Sequence, residues 1–167
     1  MDGQIIIGFS GKKQSGKTTA VGHFVQRYAA LNPCVVSFAD PLKRIVIECF
    51  CPNEWGLHVP DLDGEEVKQR VTPCGKTVRE LLQVVGTDMF RGLWGRVWLN
   101  TMEYELLHAG KLVVVPDVRF PNEVQFIQER GGHVVRLLRA PYAQDQHASE
   151  TALDETGLDI VAFCHSE

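Results

Sequence analysis

The chain has 167 residues, 44% of them hydrophobic and 23% charged, with a formal net charge of −4. That length suits one domain with a real core, the lack of any long apolar run argues against a membrane span, and the acidic balance argues against a dedicated nucleic-acid binder, which needs a broad basic surface. The cysteines, Cys34, Cys49, Cys51, Cys74 and Cys164, are odd in number and irregularly spaced, so no disulfide framework is expected; a zinc site on "CFC", Cys74 and His58 is disfavoured because there is no C-x2-C pair.

The first predicted strand is Ile5 to Phe9, an apolar run of the kind found in a sheet covered on both faces. A helix follows from about Lys17, with Val21, Phe24, Val25 and Tyr28 spaced as one buried stripe. "CVVSF", Cys34 to Phe38, reads as a second strand, and "ADPLKRIVIECF" as a helix entered through Asp40 with Pro41 at its first position. From Cys51 to Gly75 the pattern dissolves into Pro, Gly, Asp and Glu, which predicts a long irregular loop. "KTVRELLQVVGTDMF" resumes a helical pattern, and "LWGRVWLNTMEYELLHAG" predicts a helix closed by Gly110. "KLVVVPD" is a strand ending at Asp117, "FPNEVQFIQERGG" a compact helix, and "HVVRLLR" a further strand. Strands alternating with helices imply an α/β fold: a parallel β-sheet flanked by helices, with ligands at the carboxyl ends of the strands.

"GKKQSGKT" places Gly11, Gly16, Lys17 and Thr18 in the pattern G-x-x-x-x-G-K-[ST], after a predicted strand and opening a predicted helix. Glycines let the backbone wrap a phosphate with its N–H groups inward, and the helix N-terminus adds partial positive charge. Lys17 can reach the β and γ phosphates and the Thr18 hydroxyl can ligate magnesium. The candidate ATP-contacting set is Gly11, Lys13, Ser15, Gly16, Lys17, Thr18 and Thr19. The loop is not G-x-G-x-x-G, which disfavours a dinucleotide fold. A phosphate loop also needs an acidic residue near the magnesium, and Asp117 at the end of "LVVVP" is the candidate; capping the turn before "PNEV" is a compatible second role. The chain is short for an ATP-driven motor and lacks a guanine-reading segment, which leaves small-molecule kinases.

Together with that loop, "FADPLKR", "RELLQVVGTDMFR", "VVVPDVRFPNEVQFI", "GGHVVRLLR" and "HASE", in that order, resemble the virus-encoded deoxynucleoside monophosphate kinases of tailed bacteriophages over nearly the whole chain. The resemblance implies transfer of the ATP γ-phosphate to a deoxynucleoside monophosphate, with magnesium, on a nucleoside-monophosphate-kinase-like P-loop core. The start, "MDGQIII", has no basic n-region, which reads as a cytoplasmic protein, in the host cytoplasm if viral. The expected organisation is one kinase domain over 1–167, with an acceptor-binding helical region at about 40–110 and a lid-like loop at about 140–150. The expected partners are small-molecule nucleotides and neither polymeric nucleic acid nor membrane, with a homodimer left open. Members of that family commonly continue beyond the point where this chain ends, at "DIVAFCHSE".

Within that frame, Asp40 and Lys43 sit where the second strand gives way to a helix, a place to hold an acceptor phosphate or sugar; an N-cap role is the alternative for Asp40. Arg79 and Gln83, four apart, share a helix face and suit a phosphate and a base edge, with a solvated face as the alternative. Arg91 is a further acceptor candidate that could instead pair with Asp88. The resemblance puts Arg119 in the active cleft, where it would neutralise charge on the transferred phosphoryl oxygens, unless Glu123 holds it structurally. Arg139, at a strand end, completes the catalytic set of Lys17, Asp117, Arg119 and Arg139, with Thr18 and Asp117 as metal ligands. His147, Ser149 and Glu150 match the family's "H-x-SE"; His147 reads as a loop anchor. A kinase for another phosphate-bearing metabolite, such as phosphomevalonate, and a non-catalytic ATP-sensing module are the competing functions.

Overall fold

The β-branched run at the start of the chain forms strand β1 (Ile5–Ser10), which in the computed structural model lies at the centre of a parallel sheet. The structure describes residues 3–12, 15–138 and 152–153, and the backbone of 160–163. The remaining strands are β2 (Cys34–Val35), β3 (Leu112–Val118), β4 (His133–Leu138) and β5 (Ile160–Phe163), in the spatial order β2-β3-β1-β4-β5. Every adjacent pair is parallel, with Ile6 opposite Val113 and Gly8 opposite Val134. Parallel pairing requires crossovers, and these carry helices α1 (Lys17–Arg27) and α6 (Pro121–Gln128), each joining two strands of the sheet.

The chain divides into two compact units, Met1–Ser37 with Met102–Glu167, and Phe38–Thr101. In the first, the sheet supplies most of the core: Val113, Val114, Val115 and Val134 are fully buried, as expected for strands covered on both faces. Gly8 is required by packing. A Cβ there would lie 2.8 Å from Ile127 Cδ1 on α6 and 2.9 Å from Val118 Cγ2 on β3.

The second unit is helical. It holds α2 (Asp40–Phe50), α3 (Glu65–Gln69), α4 (Val78–Gln83) and the start of α5 (Val97–His108). The "TVRE" stretch is a capping box: the Glu80 N–H donates to Thr77 Oγ1 at 3.2 Å, and the Glu80 carboxylate accepts the Thr77 N–H at 2.7 Å. That backbone bond, seconded by the Thr77 hydroxyl, draws the Glu80 pKa down.

Several expectations need correction. The second strand stops at Val35, although the Val36 N–H still donates to the Val114 carbonyl at 3.0 Å. As an edge strand it is paired on one side only, and the chain leaves it to turn into α2. Asp40 is not the N-cap of α2: Ala39 holds that position and Asp40 is the first helical residue. The stripe on α1 is half-buried; Phe24 packs on Phe9 with ring centroids 5.7 Å apart, while Tyr28 falls at the C-cap and is 42% exposed. The stretch 51–75 is not irregular throughout, since Asn53–Trp55 and Val59–Asp63 form 3-10 turns ahead of α3, anchored by fully buried Leu62. Beyond Gln83 the predicted helix continues as a π-helix, Val84–Arg91. Among the described residues no helix is long and apolar enough to cross a membrane.

Candidate active site

The loop between β1 and α1 adopts backbone angles that only glycine tolerates well. Gly11 has φ +148° and Gly16, the N-cap of α1, has φ +90°. At Gly11 there is also no room for a side chain: a Cβ would lie 2.5 Å from Ser15 Oγ and 2.8 Å from the Leu137 carbonyl oxygen of β4. The α1 N-terminus has no side-chain cap and no acidic residue in its first turn, so its partial positive charge suits an external anion.

Lys17 turns its ammonium back over this loop, donating to the carbonyls of Gly11 and, at 3.2 Å, Lys12. Ser15 is 1% exposed, and its hydroxyl has no hydrogen-bond partner among the described residues. A buried hydroxyl left so costs about 1–3 kcal/mol. A phosphate oxygen in the loop would relieve it. The loop thus fits a polyphosphate on three counts: a cradle that a Cβ would fill, an orphaned donor and an ammonium held over the loop. Thr18 and Thr19, at the start of α1, are exposed.

Asp117 lies near the carboxyl end of β3, next to β1 in the sheet, the strand-end position that the sequence predicts. It is half-buried and accepts a 2.7 Å hydrogen bond from Ser37 Oγ, a residue that sequence reasoning did not single out. Two residues on, the backbone N–H groups of Arg119 and Phe120 donate to the Glu123 carboxylate at 2.8 and 3.1 Å. Glu123 is 2% exposed and so fixes the turn from β3 into α6, and with it the backbone from which Arg119 springs. On β4, Arg136 bonds the Leu153 carbonyl. Lys13, Arg139, His147, Ser149 and Glu150 lie outside the described residues.

The acceptor candidates lie in the helical unit. Arg79, in the first turn of α4, is bridged to Glu65 of α3 at 2.7 Å, and Gln83 closes α4 on the same face. Arg91 ends the π-helix and is half-buried. Lys43 is different in kind. It is 8% exposed, and its ammonium meets Asp63 at 2.9 Å and Asp40 at 3.3 Å. Burial works against its charge, but the two carboxylates outweigh burial and leave the pKa raised. Its charge is already matched, which suits bracing the 3-10 turn onto α2 better than gripping a phosphate. Asp63 and Glu65 carried no signal in the sequence, because they sit in the stretch without periodicity.

A parallel α/β sheet with a glycine-built phosphate loop after its first strand, a lysine over that loop and an aspartate at the end of the adjacent strand defines a phosphate-loop protein of the kinase type. The model of the deoxynucleotide monophosphate kinase family matches residues 73–166. A protein of Acanthamoeba polyphaga mimivirus named "Putative deoxynucleotide monophosphate kinase" is 35% identical over 165 residues, spanning 89% of this chain and 82% of its own length. The chain belongs to the deoxynucleotide monophosphate kinase family.

Proposed function

We propose that this kinase transfers the terminal phosphoryl group of ATP to a deoxynucleoside 5′-monophosphate, giving ADP and the diphosphate, with Mg2+ as cofactor. The observation that carries the reading is the loop of Gly11 to Lys17, with its two positive-φ glycines, orphaned Ser15 hydroxyl and overlying ammonium. In this reading the loop amides and Lys17 hold the donor phosphates, joined by Lys13 and Thr19. Thr18 and Asp117 offer the hard oxygen ligands that magnesium prefers. Held there, magnesium would supply positive charge to offset that of the phosphate oxygens. Arg119 and Arg139 supply charge to the phosphoryl oxygens as transfer proceeds.

Arg79, Gln83 and Arg91 form the acceptor set, with Asp40 and Lys43 bracing the region. The Arg79–Glu65 pair does not argue against this. Glu65 is more than half exposed, and an exposed pair is worth only about 0.2–1 kcal/mol, so a phosphate dianion can take the arginine at small cost. The two compact units work as one kinase domain on small-molecule nucleotides in the cytoplasm, without polymeric nucleic acid.

The test is ADP release measured with each natural deoxy- and ribonucleoside monophosphate. Turnover with at least one deoxynucleotide, and none with other phosphate-bearing metabolites, is the expected result. ATP binding without turnover on any monophosphate would overturn it.

A further inference from the structure

We infer that Ser37 is a positioning residue for the magnesium-facing carboxylate of Asp117. The inference rests on the reading of Asp117 given above and goes beyond it by naming the group that sets the carboxylate's orientation. Ser37 Oγ donates to Asp117 Oδ2 at 2.7 Å, in the short range of hydrogen bonds to ionised oxygens. The two residues are 80 apart in sequence and meet because β2 and β3 run parallel, with Cys34 opposite Val113 and Val35 opposite Val114. The Val36 N–H bond to the Val114 carbonyl carries this pairing one residue further, delivering Ser37 beside the end of β3.

The backbone beneath Asp117 is held firmly, since Val115 and Val118 on either side are buried. A donor on Oδ2 restricts rotation of the carboxylate about its own axis and so bears on which way its oxygens face. Both side chains are half-buried, so water competes for this contact less than it would on an open surface.

Removing such an outer partner of a ligating group typically lowers metal affinity about 10- to 100-fold. The experiment titrates Mn2+, a paramagnetic substitute for Mg2+, into the full chain with ADP, read by electron paramagnetic resonance, alongside metal-free ADP binding by calorimetry. Ser37→Ala should weaken Mn2+ binding about tenfold while metal-free ADP affinity stays at the parent value. Ser37→Cys, similar in size but a weak donor, should behave like Ala, and Ser37→Thr, which keeps the hydroxyl, should bind Mn2+ nearly as the parent does. These two variants carry the comparison should the Ala protein fail to fold. Parent-like Mn2+ affinity in Ser37→Ala or Ser37→Cys, with a clear loss in Asp117→Asn, would overturn the role of Ser37 and leave Asp117 as a ligand. Parent-like affinity in Asp117→Asn would remove the metal reading itself, and this inference with it. An equal loss of metal-free ADP binding in Ser37→Ala would also overturn it, as a general disturbance of the loop.

Discussion

Two lysines of this chain show how the same side chain serves opposite ends. Lys17 lies over backbone carbonyls, which carry only partial charge and yield readily to an anionic phosphate. Lys17→Ala should lower turnover by about two orders of magnitude or more, the scale of losing one preorganised donor to developing charge, while circular dichroism shows an unchanged fold. Near-parental turnover would exclude the phosphate-loop mechanism. Lys43 is committed to Asp63 and Asp40 within the helical unit. Lys43→Met should reduce stability by about 1–3 kcal/mol in urea unfolding, below the usual cost of breaking a fully buried pair because Asp63 reaches solvent. The sign follows from the raised pKa. The contribution is fully present below the unfolded value of 10.5 and is lost as pH rises through the higher folded value, so the stability gap should be constant near neutrality and shrink only in strong alkali. A gap that closed between pH 6 and 9 would contradict the pairing. A collapse of kcat exceeding the loss of stability would instead give Lys43 a direct part in substrate binding.

Among the elements, the π-helix Val84–Arg91 is the least expected, because an i→i+5 ladder is poorly packed along its axis and needs support from outside. Trp98 of α5 provides some of it. Its buried indole N–H donates to the Gly86 carbonyl at 3.0 Å, and its ring packs near Phe90 with centroids 5.6 Å apart. Trp98→Phe keeps most of the apolar volume and removes the donor, so a loss of about 1–2 kcal/mol in unfolding free energy is expected. No change would mean the π-ladder stands unaided. In the sheet, Gly8→Ala should cost about 1–3 kcal/mol, since the added methyl meets Ile127 and Val118 inside 3 Å in a core with no slack. Thermal unfolding of the purified variant measures it, and a melting temperature equal to the parent's would show that α6 can shift.

At the scale of the whole molecule, the candidate groups fall into two sets that belong to different units: Lys17, Asp117 and Arg119 in one, Arg79, Gln83 and Arg91 in the other. The division makes a kinetic prediction. If Arg79 grips the acceptor, Arg79→Ala should raise the KM for the monophosphate about tenfold or more with little change in the KM for ATP, because that group is bound in both ground and transition states. Arg119→Ala should mainly lower kcat, and Arg119→Lys should restore it only in part, since an ammonium lacks the planar two-donor fork. Identical phenotypes, confined to ATP, would show that the acceptor is not bound through α4.

Much of this was decided locally and could be read from the chain. A phosphate loop is contiguous, and its glycines, lysine and flanking strand and helix announce themselves within about a dozen residues. The order of strands and helices followed from periodicity, and so did the position of Asp117 at the end of an apolar strand. Contacts between distant segments were another matter. Ser37 has no neighbour in sequence that marks it, and only the pairing of β2 with β3 brings it to Asp117. Asp63 and Glu65 lie where short 3-10 turns, held by the burial of Leu62, leave no period to detect. The π-helix keeps a helical hydrophobic pattern and changes only its hydrogen-bond partners, which composition does not encode. Sequence alone determined the chemistry available to this protein; tertiary structure decided which charges are already spent and which side chains orient others, because both depend on what the fold brings within 3 Å.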